Sequence, residues 1–290
     1  MGRKGGGDGP DGFAVVDKEA GWTSHDVVAK ARGLLGTRRV GHAGTLDPGA
    51  TGVLLLGVGR ATRLLRFATE LQKHYVGEVV LGTETSTLDD EGDVTATYDM
   101  RGVSLDEVRS AALELTGPIE QVPPMVSAVK VGGRRLHELA RAGIEVERAP
   151  RPVTVDRFDV APTSDDGVFA IEVICSSGTY VRSLAADLGR ALGGGAHLRR
   201  LRRTAIGPHT LAEARPLEGL VLQPMAAAVA HLPGVTVGAD GAELLATGRL
   251  PELDLQGTGP WALHGAGGEL LAVAERDGGR IKPGIVLVAR

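Results

Sequence analysis

Gly41-His42-Ala43-Gly44-Thr45-Leu46-Asp47-Pro48-Gly49-Ala50-Thr51-Gly52 is the stretch on which the reading of this chain turns. Its glycines (Gly41, Gly44, Gly49, Gly52) permit backbone angles and close approaches that other residues forbid, and Pro48 pushes Asp47 out of the helical region. The result is one carboxylate on a rigid, exposed turn. Glycine-rich loops also cradle phosphates, but this one has neither the Gly-x-x-x-x-Gly-Lys-Ser/Thr pattern nor the dinucleotide Gly-x-Gly-x-x-Gly pattern. On local chemistry alone, Asp47 reads better as a turn-forming aspartate than as a catalyst.

On both sides of the loop the chain reads as regular structure. Phe13-Ala14-Val15-Val16-Asp17 predicts a short buried strand, and Ser24 is expected to cap a helix whose Val27, Val28, Ala31, Leu34 and Leu35 recur at helical spacing before Gly36. After the loop come a continuous apolar run over 53–58 and a helical stretch over 61–68 that carries Arg63 and Arg66. Residues 74–81 alternate like a strand, and Ser104 with Glu107 forms a capping box for a helix through Leu115, stopped by Gly117-Pro118. The pattern then predicts an extended segment over 125–131, a helix over 134–142, and strands over 153–160 and 168–175. Past Ser177-Gly178-Thr179, the positions Val181, Leu184, Ala185, Leu188 and Leu192 make a helical core stripe, with Arg182 beside it in the first turn. From about Gly234 the chain is glycine-rich with apolar strands at 269–274 and 284–288, which predicts a small mainly-β domain.

A chain of 290 residues suits one large domain plus an appendage. No apolar run approaches the length of a membrane span, and the glycine-rich, polar residues 1–12 contain no signal-peptide core. A lead-in over 1–11 that is disordered, and a cytoplasmic protein, are expected. Cys175, the single cysteine, lies in an apolar run and reads as a buried structural thiol. The histidines (25, 42, 74, 137, 197, 209, 231 and 264) nowhere stand at ligand spacing, so no metal site is expected.

The net charge of −4 is segregated. Residues 84–107 carry eight acids against Arg101, a stretch expected to face solvent or lie away from phosphates. Residues 182–203 carry six arginines against Asp187, and 130–151 carry six bases against Glu138, Glu145 and Glu147. Such clusters suit a phosphate backbone, and equally suit solvated helix faces.

The loop, together with three distant segments, resembles the TruB family of tRNA pseudouridine synthases over roughly residues 12 to 215. Residues 41–48 followed by Ala50-Thr51-Gly52 look like the family's signature around its catalytic aspartate. Lys73-His74-Tyr75 looks like its active-site tyrosine segment, Pro123-Pro124-Met125-Val126-Ser127-Ala128-Val129-Lys130 like its next block, and Ser177-Gly178-Thr179-Tyr180-Val181-Arg182-Ser183-Leu184 like the block with its arginine. Ser177 and Arg63 depart from the pattern, each standing where many relatives have lysine.

The resemblance implies an α+β pseudouridine synthase fold, with a mixed, largely antiparallel sheet and flanking helices over 12–233, followed by a PUA-like domain over 234–290. It implies an isomerase that turns uridine into pseudouridine at position 55, in the T-arm loop of tRNA, by base flipping and without cofactor, metal or second substrate. Asp47 is then the catalytic carboxylate, Arg182 the guanidinium that keeps it ionised and oriented, and Tyr75 the aromatic surface for the flipped base and a candidate to move a proton. His42 is implied to stack in the opened RNA loop, Tyr180 and Leu201 to line the pocket, and Arg63, Lys130 and the arginines near Leu201 to meet phosphates. Without the resemblance, Tyr75 and Tyr180 read equally as core residues, and each surface cation as solvated. Nothing calls for an oligomer, so a monomer is expected.

Overall fold

A computed structural model of the chain describes residues 9–127, 130–136, 143–144 and 146–288. In chain order the strands are β1 Gly12–Lys18, β2 Val40–Ala43, β3 Thr51–Val58, β4 Lys73–Leu81, β5 Thr83–Thr85, β6 Val94–Thr97, β7 Gly117–Gln121, β8 Lys130–Val131, β9 Arg134–Arg135, β10 Arg151–Pro162, β11 Val168–Cys175, β12 Ala196–Ile206, β13 His209–Thr210, β14 Gly234–Thr236, β15 Trp261–His264, β16 Leu270–Asp277 and β17 Arg280–Val286. The α-helices are α1 Ser24–Leu35, α2 Leu65–Thr69, α3 Leu105–Glu114, α4 Val181–Ala191 and α5 Ala239–Ala246. The architecture is α+β with largely antiparallel pairing, as the resemblance implies. Among the described residues, no helix is long and apolar enough to cross a membrane.

The chain divides into two compact units. The first holds residues up to 48, 52–70 and those from 207 onward. In it β1 pairs antiparallel with β3, from Gly12 opposite Val58 to Lys18 opposite Gly52, and β2 pairs antiparallel with the far half of β3. The run from Val53 to Leu56 is fully buried, as expected of a strand covered on both faces. Ala14, Val16, Leu54 and Leu56 pack with Val27, Val28 and Ala31 of α1 in one core. The predicted cap moves by one residue: Thr23 caps α1 through a reciprocal box with Asp26. That frees the Ser24 hydroxyl for another role.

Further along the same unit, β14 to β17 form a four-stranded sheet in sequential order, with one parallel pair, β14 and β15. Its core is built on Trp261, Leu263, Leu271 and Leu245 of α5, a helix that the sequence reading did not anticipate. Asp11, expected in the lead-in, is held by Arg60, while residues 1–8 lie outside the described part.

The second unit, residues 49–51 and 71–206, is built on an antiparallel run in the order β12-β4-β11-β10-β7. Helix α3 packs on β10 and α4 on β12. The acidic segment does not simply face solvent: Leu198 of β12 donates to the carbonyl of Leu88 at 3.0 Å, which ties the segment to the sheet. Strand β12 was not predicted, because the basic run through Arg199–Arg203 breaks any apolar alternation. Of the helix expected over 134–142, Arg134 and Arg135 instead form β9, paired with β8 across the Gly132-Gly133 turn, and 137–142 lie outside the described residues.

Candidate active site

Asp47 sits half-buried in the loop that joins β2 to β3. Gly44 at φ 73° and Gly52 at φ 100° take left-handed conformations closed to most side chains, so the bends at both ends of the loop need glycine. The two residues flanking Asp47 are pinned. On one side Ser24, fully buried at the start of α1, accepts a hydrogen bond from the Leu46 N–H at 2.9 Å and donates to the Leu46 carbonyl at 3.2 Å. On the other, the Pro48 carbonyl accepts from the Gly21 N–H at 2.9 Å and from the Lys18 ammonium at 3.1 Å. Lys18 is 1% exposed, and its ammonium also donates to the carbonyls of Glu19 and Trp22 at 2.9 and 2.7 Å. A buried cation is tolerable only when its donors are met in this way. The carboxylate therefore hangs from a backbone clamped before and after it.

In the second unit, Tyr75 lies on β4, opposite Val173 of β11 and Arg203 of β12, and is 8% exposed. The register between β4 and β12 slips between Arg199 and Arg202, and Arg200 there takes φ 55°, uncommon for a residue with a side chain. The bulge sets Leu201 against Gly77, the residue two beyond Tyr75 on the same strand face. A substitution at Gly77 by alanine would place its Cβ 3.5 Å from Leu201 Cδ1, in ordinary contact.

Arg182, in the first turn of α4, is 4% exposed. Its guanidinium donates to the carbonyls of Thr87 and Val126, each at 2.9 Å, and lies 3.6 Å from the Asp89 carboxylate. Asp89 belongs to the acidic segment, so that segment supplies structure to the site. Tyr180, at the N-cap position, is held by Gln121 of β7: the Tyr180 N–H donates to Oε1 at 2.7 Å, and its carbonyl accepts from Nε2 at 3.1 Å. Gln121 is buried, so one amide side chain fixes both polar groups of one main-chain residue, as Ser24 does at Leu46.

The remaining candidates fare differently. His42 lies on β2 with its ring 5.4 Å from that of His25, edge to face. Arg63 donates to the Val286 carbonyl at 2.9 Å, at the end of β17. Lys130 is placed in β8, but its side chain lies outside the described part. The arginines near Leu201 do not form one phosphate-facing row. Arg199 pairs with Glu78 at 2.6 Å and Asp165 at 2.8 Å, Arg202 donates to Thr51 Oγ1 at 3.3 Å, and Arg203 is buried. Arg200 remains largely exposed. Cys175 is a structural thiol as expected: burial pushes its pKa up to about 11, against a lowering contact from Thr179 and the nearby charge of Lys73.

Lys18, Ser24, Asp89, Gln121 and Arg203, which stand beside the candidate residues or their segments, were not singled out in the sequence. Lys18, Ser24, Gln121 and Arg203 matter through burial beside a candidate segment and Asp89 through its place next to Arg182, and only Lys18, at the end of an apolar strand, carried a local hint.

Comparison with known proteins matches residues 32–181 to the family model described as TruB family pseudouridylate synthase, N-terminal domain, and residues 182–229 to the tRNA pseudouridylate synthase B C-terminal domain. A tRNA pseudouridine synthase B of Rhodococcus jostii is 51% identical over 93% of this chain and 91% of that protein. One from Streptomyces griseus is 45% identical over 94% of this chain and 96% of its own. Among solved structures, a chain of an H/ACA RNP bound to a substrate RNA containing 2′-deoxyuridine superposes with a TM-score of 0.71 at 25% identity, over 96% of this chain and 86% of that one. A chain of a Cbf5-Nop10-Gar1 complex gives a TM-score of 0.71 at 28% identity, over 96% and 84%.

Proposed function

Since the chain belongs to the TruB family of pseudouridylate synthases, and so is an isomerase, we propose that it converts uridine to pseudouridine in the T-arm loop of tRNA, at the position conventionally numbered 55. The observation that carries this reading is the Asp47 loop, clamped at Leu46 and Pro48 inside a sequence 51% identical to a tRNA pseudouridine synthase B.

The reaction breaks the bond between N1 and C1′, turns the base, and joins C5 to C1′; N1 gains a proton and C5 loses one. No electrons are exchanged with a partner. Asp47 is the group that starts it, as a nucleophile toward the sugar or as the base of an elimination. A carboxylate in a closing pocket tends to take up a proton, and the guanidinium of Arg182 opposes this while fixing its orientation. Tyr75 receives the base once it leaves the stack, with Leu201 and Tyr180 completing the apolar surroundings. His42 stacks in the opened loop, and Arg63, Lys130 and Arg200 meet phosphates. The catalytic domain spans 12–233, and the sheet β14–β17 with its own core is a PUA-like module over 234–290. The protein works as a monomer in the cytoplasm on tRNA, without membrane attachment.

The test uses a full-length tRNA transcript and the isolated T-arm stem-loop, with the product mapped by carbodiimide block of reverse transcription. A single pseudouridine at position 55 in both RNAs is expected. Modification at another uridine, or none in the stem-loop, would overturn the T-arm assignment.

A further inference from the structure

Arg203 is 1% exposed, which rules out the phosphate contact that its place in a basic run suggests. It stands directly opposite Tyr75 in the antiparallel register of β12 and β4. The register slips on either side of it, between Arg199 and Arg202 and again between Arg203 and Ala205, so this short paired segment is set apart by two irregularities. Such features re-aim side chains next to functional sites. The Arg203 guanidinium comes to the hydroxyl end of the tyrosine: Nη1 donates to the Tyr75 oxygen at 3.5 Å, and Cζ lies 5.9 Å from the ring centroid.

A fully buried guanidinium is a costly choice for a strand that needs only an apolar residue to pack. What it brings is a permanent charge and a planar fork of donors, which no apolar residue supplies and which lysine reproduces only as a point charge. A phenol oxygen that accepts from Arg203 directs its own O–H away from the arginine, so the contact, long at 3.5 Å, orients the hydroxyl proton.

We propose that Arg203 is a positioning residue of the isomerisation, acting through the hydroxyl of Tyr75 to hold its proton ready for the flipped uridine. The proposal rests on the reading of Tyr75 given above. It assigns Arg203 no contact with RNA.

The test is a double-mutant cycle on the full-length protein: parent, Tyr75→Phe, Arg203→Lys and the double variant. Each is assayed by single-turnover tritium release from a T-arm stem-loop carrying uridine labelled at C5, with the stem-loop dissociation constant and the melting temperature measured alongside. Arg203→Lys is expected to slow release about tenfold, with affinity and melting temperature nearly unchanged, and to have little further effect once the hydroxyl is absent. An equal slowing in both backgrounds would mark Arg203 as merely structural, as would loss of affinity or melting temperature in step with the rate. Full activity of Arg203→Lys also overturns the proposal. If Tyr75→Phe alone keeps the full rate, the hydroxyl through which Arg203 would act is dispensable and the proposal is overturned, while the stacking role of Tyr75 stands, since phenylalanine keeps the ring. If Tyr75→Phe leaves no measurable turnover, Arg203→Lys decides alone: lost rate at constant affinity and melting temperature supports the proposal, and parallel losses refute it.

Discussion

At the scale of single residues, buried polar side chains hold the candidate segments in place. Lys18, Ser24, Gln121 and Arg203 are each buried against a segment that bears a candidate residue, and each has the donors or acceptors to fix it. Nothing in the sequence separates such residues from solvated ones of the same type, because the distinction is one of burial. His231 gives the same lesson for titration. Its pKa is lowered, first by burial and then by the nearby His209, which itself bonds to Glu213 at 3.0 Å. The folded protein thus resists protonation of His231 to a lower pH than the unfolded chain, which takes up a proton near the ordinary value of 6.5. Stability from this group is present in full above that value and is lost as the pH falls through the lower, folded value. The melting temperature is expected to drop between pH 7.5 and 5.0, and to drop less in His231→Asn. An equal drop in both proteins would remove His231 as the cause.

Between residue and molecule stand the elements that bring the functional side chains into place. Ser24→Ala leaves the Leu46 N–H without its hydroxyl partner inside the core, which is expected to cost roughly 1–3 kcal/mol of stability. The freed loop should also lower the turnover rate by about a hundredfold or less, since small misplacements of a reacting group are costly. Urea unfolding and single-turnover assays measure the two effects, and a fully active variant would contradict the clamp. In α4, Gly189 reverses the usual helix rule. An alanine Cβ there would lie 2.4 Å from the backbone nitrogen of Ala196 and 2.5 Å from the carbonyl carbon of Gly195, neither of which can move aside easily. Gly189→Ala is expected to destabilise by about 2 kcal/mol or more, where an open helical site would gain about 1 kcal/mol. Denaturant midpoints decide the sign. The strands β1, β3, β4, β10 and β11 were legible because apolar runs or alternation survive in them. Strand β12 was not, since its arginines point to different surroundings and the bulge at Arg200 removes the period-two signal.

At the scale of the whole molecule, the candidate residues come from segments far apart in sequence: Asp47 belongs to one compact unit, and Tyr75, Tyr180, Arg182 and Leu201 belong to the other. The fold class was readable from the resemblance, and the identity of Asp47 as the candidate carboxylate was readable only when the loop was taken with Tyr75 and Arg182. What escaped was the support: Asp89 beside Arg182 comes from an acidic stretch that composition alone places in solvent. Likewise, the resemblance implies phosphate contacts for the arginines near Leu201, whereas Arg199 is bonded to Glu78 and Asp165 and Arg203 is buried. The direct measurement is tritium release from a T-arm stem-loop with C5-labelled uridine by Asp47→Asn, an isosteric change that removes the ionisable group. Release should be abolished while stem-loop affinity stays near that of the parent, and full release would contradict the assignment of Asp47 as the residue that carries the reaction.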